Sequence, residues 1–274
     1  MRPQHSYATE AMILKRTDLG EADRLVTLFT PYKGKFHALA KGARRPISKL
    51  GGHLELLNRS QLQVALGRNL DIITQAEVRE NFLPLRTELW HMTCAFYLSE
   101  LVDRFVEERV AHADIYTLLL QTLRYLDADA GALVQQRAPA DADGTTIRGN
   151  GKTSLLLRYF EMHLLSAVGY APSFYNCAAC SSELLPQENG FKASLGGVLC
   201  SQCSHLWERH LSLNAFKVLR YLQEKTWLEA ARVRLNVPLQ AELEAVMHSL
   251  LRFHLERDLK VWSFLDMLSL PPED

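Results

Sequence analysis

The segment RLVTLFTPYKGKFHALAK, residues 24–41, decides the fold of the N-terminal part of this 274-residue chain. Residues 24–30 are rich in branched and aromatic side chains, which suit the pleated surface of a β-strand. Residues 31–34, Pro-Tyr-Lys-Gly, have the composition of a turn, because proline presets φ and glycine adopts conformations that other residues avoid. Residues 35–41 then alternate, so that Phe36 and every second residue after it share one face. The segment therefore predicts two strands joined by a turn, with Phe36 facing a core.

Three further strands are predicted in the same part of the chain, over residues 8–16, 54–66 and 70–78. Gly67-Arg68-Asn69 between the last two is a hairpin signal, and residues 42–52 predict a basic, glycine-containing loop. Five short strands in about eighty residues favour a small closed barrel, because closure leaves no exposed sheet edge. An OB-fold, which often binds oligonucleotides, and an SH3-like barrel both fit this pattern.

After residue 81 the apolar residues recur at helical spacing. Helices are predicted over residues 85–110, 115–126, 154–168, 213–225 and 239–255. Pro84 and Pro238 stand where first helical turns begin, and Ser212 is a suitable N-cap for the fourth helix. Residues 127–151 are rich in Gly, Asp and other small residues, which predicts a mobile loop between two helices. The fold class predicted is α+β, with a barrel followed by a helical body.

The pattern divides the chain into four parts. They are the barrel (1–80), a helical domain (81–176) with its loop 127–151, a cysteine module (177–204), and C-terminal helices packing on the helical domain (205–274). No apolar run is long enough to span a membrane, and the first residues lack the apolar core of a signal peptide. We therefore expect a cytoplasmic protein, in a reducing compartment where thiols more often bind metal than form disulfides.

Basic residues are concentrated near the N-terminus. The whole chain is neutral, with 31 Lys and Arg against 31 Asp and Glu, yet no acid occurs between Arg24 and His53. Two interpretations fit such a run: a solvated basic face, or a surface that binds nucleic-acid phosphates with cations and stacks bases on exposed rings. The candidate DNA-binding residues are Arg24, Lys33, Lys35, His37, Lys41, Arg44, Arg45 and Lys49, with Tyr32 and His37 as the candidates for stacking.

Four cysteines form two pairs with the spacing of a zinc site. Two residues separate Cys177 from Cys180 and Cys200 from Cys203, and 19 residues lie between the pairs. Each pair offers two thiolates from a tight turn, and together they complete a tetrahedral shell of four sulfurs. Such a shell leaves no open position for water, so the Zn²⁺ is expected to be structural. Four cysteines without metal are the alternative, and Cys94 is expected to be a core thiol.

No catalytic constellation is predicted, so the chain is expected not to be an enzyme. Residues 149–154, GNGKTS, end like a phosphate-binding Walker A loop, but Thr146 stands where the first glycine of that motif belongs. HExxH and GxSxG motifs are absent, and His248 and His254 do not have metal-ligand spacing. A second basic group could bind DNA or an acidic tail, but a solvated face is the favoured interpretation: Arg209, Lys217, Arg220, Arg232 and Arg234.

Three segments resemble the RecO family of DNA-repair recombination mediators. Residues 20–50 have a Glu before the second strand, a turn ending in Gly-Lys and the run Ala-Lys-Gly-Ala-Arg. Residues 158–180 have an aromatic helix, a Gly-Tyr-Ala-Pro turn and the first cysteine pair, and residues 253–265 are similar to the family's closing helix. In this order the segments span nearly the whole chain. The departures are residues 127–151, which match no family motif, and Val-Trp-Ser at 261–263.

The resemblance implies an N-terminal OB-fold, a helical body with a zinc module, and activity without nucleotide hydrolysis. It also implies binding to single- and double-stranded DNA, annealing of complementary strands, and cooperation with RecR in loading RecA onto DNA coated by single-strand-binding protein. Some members dock the acidic C-terminal tail of that protein, and such a role implies association with the nucleoid. The alternative is a zinc-stabilised protein-interaction scaffold whose basic segment binds an acidic partner protein.

Overall fold

The computed structural model describes residues 6–136, 151–255, 259–262 and 265. The chain divides into two compact units, residues 1–143 and 144–274. Within the described residues, the first unit contains a β-barrel and three helices, and the second contains four helices and a small sheet. The finer division into four parts stays a prediction. No helix of the described ranges is long and apolar enough to cross a membrane.

A five-stranded barrel forms the N-terminal part of the first unit. Its strands are β1 (Ser6–Leu19), β2 (Asp23–Thr30), β3 (Gly34–Ala40), β4 (Arg59–Ala65) and β5 (Asp71–Glu80). Neighbouring strands follow the order β1-β2-β3-β5-β4, and β1 closes the sheet because it pairs with both β2 and β4. Only the short β3–β5 contact is parallel. A five-stranded Greek-key barrel of this kind is an OB-fold and not an SH3-like barrel.

Alternation along β2 and β3 fills the barrel core, as the sequence predicted. Val26 and Leu28 of β2 and Phe36 and Ala38 of β3 are buried in one cluster. Fully burying a side chain as large as Phe36 contributes about 1.5–3 kcal/mol.

The fourth strand begins later than predicted. The strand predicted over 54–66 starts at Arg59, because Gly51–Leu54 form a 3₁₀ turn. Leu57 then has a φ of 67° and donates its N–H to the carbonyl of Ile13 at 2.9 Å. This left-handed conformation lies outside regular strand backbone, and β4 begins two residues further on.

Three helices follow the barrel in the first unit: α1 (Leu83–Thr87), α2 (Leu89–Phe105) and α3 (Ala113–Gln136). The single helix predicted over 85–110 is interrupted at Glu88, whose φ of −109° and ψ of 110° are extended. The helix predicted over 115–126 is longer than expected at its C-terminal end.

The prediction of a loop over residues 127–151 is wrong for residues 127–136, which continue α3. Ala130 is fully buried, and the Asp127 carboxylate accepts a hydrogen bond from the Leu85 N–H at 3.0 Å. A Cβ on Gly131 would be in van der Waals contact with Pro84, 3.6 Å from its Cβ. The small residues that suggested a loop therefore allow α3 to pack closely on α1. Residues 137–150 lie outside the described residues, and α4 begins at Gly151.

The second unit contains α4 (Gly151–Ala167), β6 (Asn189–Lys192), β7 (Gly197–Leu199), β8 (Arg209–Leu211), α5 (Leu213–Glu224), α6 (Trp227–Ala230) and α7 (Val237–Leu255). Helices α5 and α7 pack on α4. The Ser212 hydroxyl accepts the Ala215 N–H at 3.2 Å and Pro238 lies in the first turn of α7, both as predicted. The strands and α6 were not predicted, because elements of three or four residues are too short to show a period.

Candidate nucleic-acid interface and metal centre

The loop after β3, residues 41–49, places four cations on the surface, and we call it the basic loop. Lys41, Arg45 and Lys49 are exposed, and within the described residues no ion pair engages any of them. Ala43 between them is buried in the barrel core. The loop is thus attached to the barrel while its cations stay solvated.

Arg44, the fourth cation of the basic loop, and Arg24 of β2 lie beside the same carboxylate. Asp18 at the end of β1 is 3.1 Å from the Nε of Arg24 and 3.4 Å from the Nε of Arg44. Glu55 is 3.8 Å from Arg24, and Arg44 donates to the carbonyl of Gly20 at 3.0 Å. The basic run is therefore acid-free in sequence but not in space. Exposed pairs of this kind contribute about 0–1 kcal/mol, which leaves both guanidinium groups accessible to a competing anion.

Lys35 contacts the last turn of α2, and His37 contacts the segment that follows it. Lys35 is only 7% exposed. Its Nζ lies 3.3 Å from the Asp103 carboxylate and also donates to the carbonyl of Asp103. The Nε2 of His37 is 3.0 Å from the Glu108 carboxylate, and its Nδ1 is 3.1 Å from the hydroxyl of Thr27. Lys35 therefore packs inside the first unit, whereas His37 is partly exposed.

The β2–β3 turn places Tyr32 and Lys33 at the end of β3 that is remote from the basic loop. Tyr32 is 83% exposed, and the Nζ of Lys33 lies 4.2 Å from the ring centroid of Tyr7, a cation–π contact. The seven residues of β3 separate its two ends by about 20 Å. The candidate residues therefore form two groups at opposite ends of β3 instead of one continuous strip.

The outer surface of β1–β3 adds residues that the sequence analysis missed. Lys15 of β1 pairs with Thr27 of β2, which pairs in turn with His37 of β3. The neighbouring row is made of Thr17, Leu25 and Leu39. The exposed or half-buried residues of these rows form what we call the strand face: Lys15, Thr17, Leu25, His37 and Leu39. A register shift between Ile13 and Lys15 interrupts the alternation of β1. The pairing of Lys15 with β2 is therefore what identifies it as part of the strand face.

The second basic group is spread over three elements of the second unit. Arg209 lies on β8, Lys217 and Arg220 lie on α5, and Arg232 and Arg234 follow α6. The guanidinium of Arg220 stacks on the ring of Tyr175 at 4.0 Å, and the other four side chains are exposed. This dispersion agrees with the interpretation of a solvated face.

The four paired cysteines converge in the second unit. The Sγ atoms of Cys177, Cys180, Cys200 and Cys203 all lie within 4.8 Å of one another, and those of Cys180 and Cys200 are 3.7 Å apart. A tetrahedral zinc ion with Zn–S bonds of about 2.3 Å needs sulfur–sulfur distances of about 3.8 Å. The prediction that the two pairs meet is confirmed, and both the donor set and its size fit a zinc ion.

Each cysteine pair lies in a tight turn that points its thiols inward. The N–H of Ser181 donates to the carbonyl of Cys177 at 2.8 Å, and the N–H of Cys203 donates to the carbonyl of Cys200 at 3.1 Å. The N–H of Cys200 also donates to the Sγ of Cys177 at 3.3 Å, which joins the two turns. Ser181 has a φ of 61°, as the tight return of the first turn requires.

Hydrogen bonds favour thiolates in the first pair. Burial acts to raise the pKa of Cys177, but backbone N–H groups, first that of Cys200, lower it below its usual value. The hydroxyl and backbone of Ser182 lower the pKa of Cys180 to about 6. Burial, together with the neighbouring thiols, raises the pKa of Cys203 to about 12. Thiols this close oppose one another's ionisation, and a bound cation removes that opposition.

A three-stranded sheet, β7-β6-β8, supports both turns. The N–H of Ala178 donates to the carbonyl of Val198 on β7 at 2.9 Å. Trp207 donates its indole N–H to the carbonyl of Cys200 at 3.1 Å and lies flat on β6, where a Cβ on Gly190 would be 2.0 Å from the ring. The sheet and the indole thus fix the positions of the thiols from outside.

The remaining candidates have no part in either site. Cys94 is fully buried in α2, as expected of a core thiol. Gly151–Ser154 form the first turn of α4, while residues 149 and 150 of the Walker-like motif lie outside the described residues. His248 and His254 of α7 contact the rings of Trp262 and Tyr170.

The strand order and the four-cysteine centre define an OB-fold protein with a helical second unit that carries a candidate metal site. The family model for the N-terminal domain of recombination protein O matches residues 1–82, and the model for its C-terminal domain matches residues 86–138 and 146–263. The chain belongs to the RecO family. Of the stretch 127–151 that departs from the family motifs, only residues 139–145 are left unmatched.

Curated relatives cover almost the whole chain. DNA repair protein RecO of Roseiflexus sp. (strain RS-1) is 41% identical over 262 residues, which are 95% of this chain and 85% of that protein. The protein of the same name from Dehalococcoides mccartyi (strain ATCC BAA-2266) is 36% identical over 270 residues, 98% of each chain. The one from Symbiobacterium thermophilum is 34% identical over 266 residues, 96% of this chain and 97% of that protein.

Proposed function

We propose that this chain is a DNA-binding recombination mediator in DNA repair, acting on nucleoid DNA in the cytoplasm without catalysing a reaction. In this role it binds single- and double-stranded DNA and anneals complementary strands. Together with RecR it assists the loading of RecA onto DNA coated by single-strand-binding protein, whose C-terminal tail it contacts. Membership of the RecO family supports the proposal, since the relatives are named DNA repair proteins.

The observation that carries the proposal is the position of the basic loop beside the strand face of an OB-fold. Lys41, Arg45 and Lys49 are exposed and engaged by no ion pair within the described residues. Cations of this kind release the counterions of phosphates when they bind nucleic acid. Arg24 and Arg44 lie at the same end of β3 and extend the group, since their exposed pairs with Asp18 are weak.

The strand face supplies what a cationic loop lacks, a surface for the bases. Leu25 and Leu39 are half-buried there, and His37 offers an imidazole ring. Apolar and ring contacts tolerate every base, because they read no hydrogen-bond pattern. Binding with little sequence preference therefore fits this surface.

The four cysteines have a structural role in this proposal. Cys177, Cys180, Cys200 and Cys203 would hold Zn²⁺, which would cross-link the two turns and offset half of the charge of the four thiolates, with no coordination position left for water or substrate. The residues around the site then hold β6–β8 in place through Trp207 and the backbone of Ala178. The metal keeps the second unit folded and has no contact with the nucleic acid.

The test is fluorescence anisotropy of labelled oligonucleotides titrated with the full-length, metal-loaded protein at several salt concentrations. We expect binding to strands of unrelated sequence, with affinity that falls steeply with salt at a log–log slope of about −0.7 per phosphate neutralised. An acidic peptide serves as competitor, because the same cations suit the alternative function of a scaffold for an acidic partner. Binding of the peptide alone, with no oligonucleotide bound even in dilute buffer, would favour that alternative.

A further inference from the structure

The strand face is only partly open, because the Glu108 side chain of the segment 106–110 contacts His37. This segment joins α2 to α3, and we call it the acidic strap because it contains Glu107 and Glu108. It lies against β3 as an added strand would. The backbone of Glu108 forms an isolated β-bridge with that of Lys35, and the N–H of Arg109 donates to the carbonyl of Lys35 at 2.8 Å.

The acidic strap is anchored at both ends and exposed in the middle. Val106 is buried where α2 ends. At the other end, a Cβ on Gly34 would lie 2.0 Å from the carbonyl oxygen of Val110, so only glycine allows the acidic strap to approach the barrel this closely. The two glutamates between these anchors are exposed. The Glu108 carboxylate is thus held beside His37 of β3 without being buried.

The carboxylate of Glu108 occupies the position on His37 that a phosphate oxygen would take. It lies 3.0 Å from Nε2, while Nδ1 lies 3.1 Å from the hydroxyl of Thr27, so both ring nitrogens are engaged. A carboxylate only accepts hydrogen bonds, so Nε2 carries the proton and donates it. A phosphate oxygen is also an acceptor and can use this N–H only when Glu108 has left.

We infer that the DNA-binding surface of the barrel continues from the basic loop across the strand face to a phosphate contact at His37, and that Glu108 is an internal competitor for that phosphate. The inference rests on the proposed function and specifies how its surface is opened. The side chains of His37 and Glu108 are 36% and 59% exposed, so solvent screens their contact and keeps it weak. A strand already held by the basic loop displaces it. A mononucleotide lacks those additional contacts and does not.

Removing the charge of the competitor tests the inference. Glu108→Gln keeps the shape of the side chain, and we expect the affinity of the full-length protein for a single-stranded oligonucleotide to rise about two- to fivefold. Glu107→Gln is the matched control: it makes the same charge change one residue away, at an exposed side chain that has no ion pair within the described residues. Its effect is expected to be smaller. Anisotropy at constant salt measures both.

A double variant separates competition from general repulsion. In a His37→Ala background the gain in oligonucleotide affinity from Glu108→Gln is expected to fall to that from Glu107→Gln, because Glu108 then has no imidazole to contact. Equal gains from the two glutamine variants in the wild-type background, or a Glu108→Gln gain undiminished without His37, would overturn the inference while DNA binding still stood. A wild-type protein that binds no oligonucleotide would instead overturn the proposed function, and the inference with it.

Discussion

The four-cysteine centre and the basic loop arrange their charge-bearing side chains in opposite ways. In the centre, four thiols converge within 4.8 Å and three of them are buried, which suits one small cation in a fixed geometry. In the basic loop, four cations are exposed, and three of them have no acid paired with them within the described residues. That arrangement suits an extended polyanion whose phosphates are interchangeable. The first site should therefore control folding without binding DNA, and the second should control binding without affecting folding.

The largest effect is expected from removing metal ligands. Cys177→Ala combined with Cys180→Ala leaves two thiols of four, and zinc at such sites contributes about 10–16 kcal/mol. We expect bound zinc, measured by elemental analysis, to fall from one ion per chain to none. Hydrogen exchange should become fast in peptides of residues 151–255, while peptides of the barrel keep their protection.

Cys94→Ala is the control for this double variant, because it removes a buried thiol that is not part of the site. It is expected to keep the metal and the protection of the second unit. Zinc retained without Cys177 and Cys180, or lost without Cys94, would show that the four-cysteine centre is not what holds the metal.

Removing charges from the basic loop is expected to have the opposite effect, which is weaker DNA binding with unchanged folding. Lys41→Ala, Arg45→Ala and Lys49→Ala together remove three exposed charges, so the thermal unfolding curve should not change. The slope of log affinity against log salt for single strands should become shallower by about 2, because each phosphate that is no longer neutralised accounts for about 0.7 of the slope.

The matched control removes the same charge from exposed positions of the second unit, with Lys217→Ala, Arg232→Ala and Arg234→Ala. Its slope is expected to equal that of the wild type. If both triple variants weaken binding alike, net charge and not the basic loop accounts for the interaction. If neither does, the phosphates bind elsewhere on the protein.

The sequence predicted features that depend on neighbouring residues and failed where distant residues decide. Alternation placed Phe36 in the core, and pair spacing predicted the meeting of the cysteines. The acids beside Lys35 and His37 could not be predicted, since Asp103 and Glu108 reach β3 only when α2 packs on the barrel. A segment without acidic residues in the sequence can therefore still have its cations paired with acids in the structure.

The prediction from composition was wrong for residues 127–136 because here too a residue distant in sequence decides the structure. Small residues are typical of loops, but they also allow two helices to approach closely, as Gly131 does opposite Pro84. Only the packing partner distinguishes the two cases. Lys15 was missed because the register shift before it displaced the alternation of β1, and its neighbours on β2 had to be known first.

Stability of the barrel is expected to follow pH through an ionic network that uses no metal. Glu80 of β5 contacts Arg59 of β4 and accepts hydrogen bonds from Arg124 of α3 at 2.6 and 2.8 Å. The bonds from Arg124, followed by those from Arg59, outweigh burial and lower the pKa of Glu80. A carboxyl pKa that is lower in the folded state than in the unfolded state adds stability. This contribution is complete above the pKa of the unfolded state, about 4.3, and is lost as the pH falls through the pKa of the folded state.

Glu80→Gln should therefore lower the free energy of unfolding of the first unit by about 1 kcal/mol at pH 7. The difference from the wild type should shrink as the pH falls below about 4.3, where the wild type loses the same charge. Hydrogen exchange of barrel peptides measures this in each protein. Glu77→Gln, whose exposed carboxylate pairs with Arg79 at 3.1 Å, is the control and should have almost no effect. A difference independent of pH would assign the role of Glu80 to packing instead of charge.

The smallest effect is expected at Lys33, and it decides whether one strand joins both ends of β3. Lys33→Met keeps the aliphatic stem over Tyr7 and removes the charge. Lys33 is about 20 Å from the basic loop, and OB-fold sites cover about 4–16 nucleotides. The salt slope should become shallower by about 0.7 for a strand of about 16 nucleotides and stay unchanged for one of about 4, which the basic loop alone holds. An effect on the short strand would mean that it binds at the turn. No effect on either would confine the DNA to the basic-loop end, and the two groups of cations would then differ in role as well as in position.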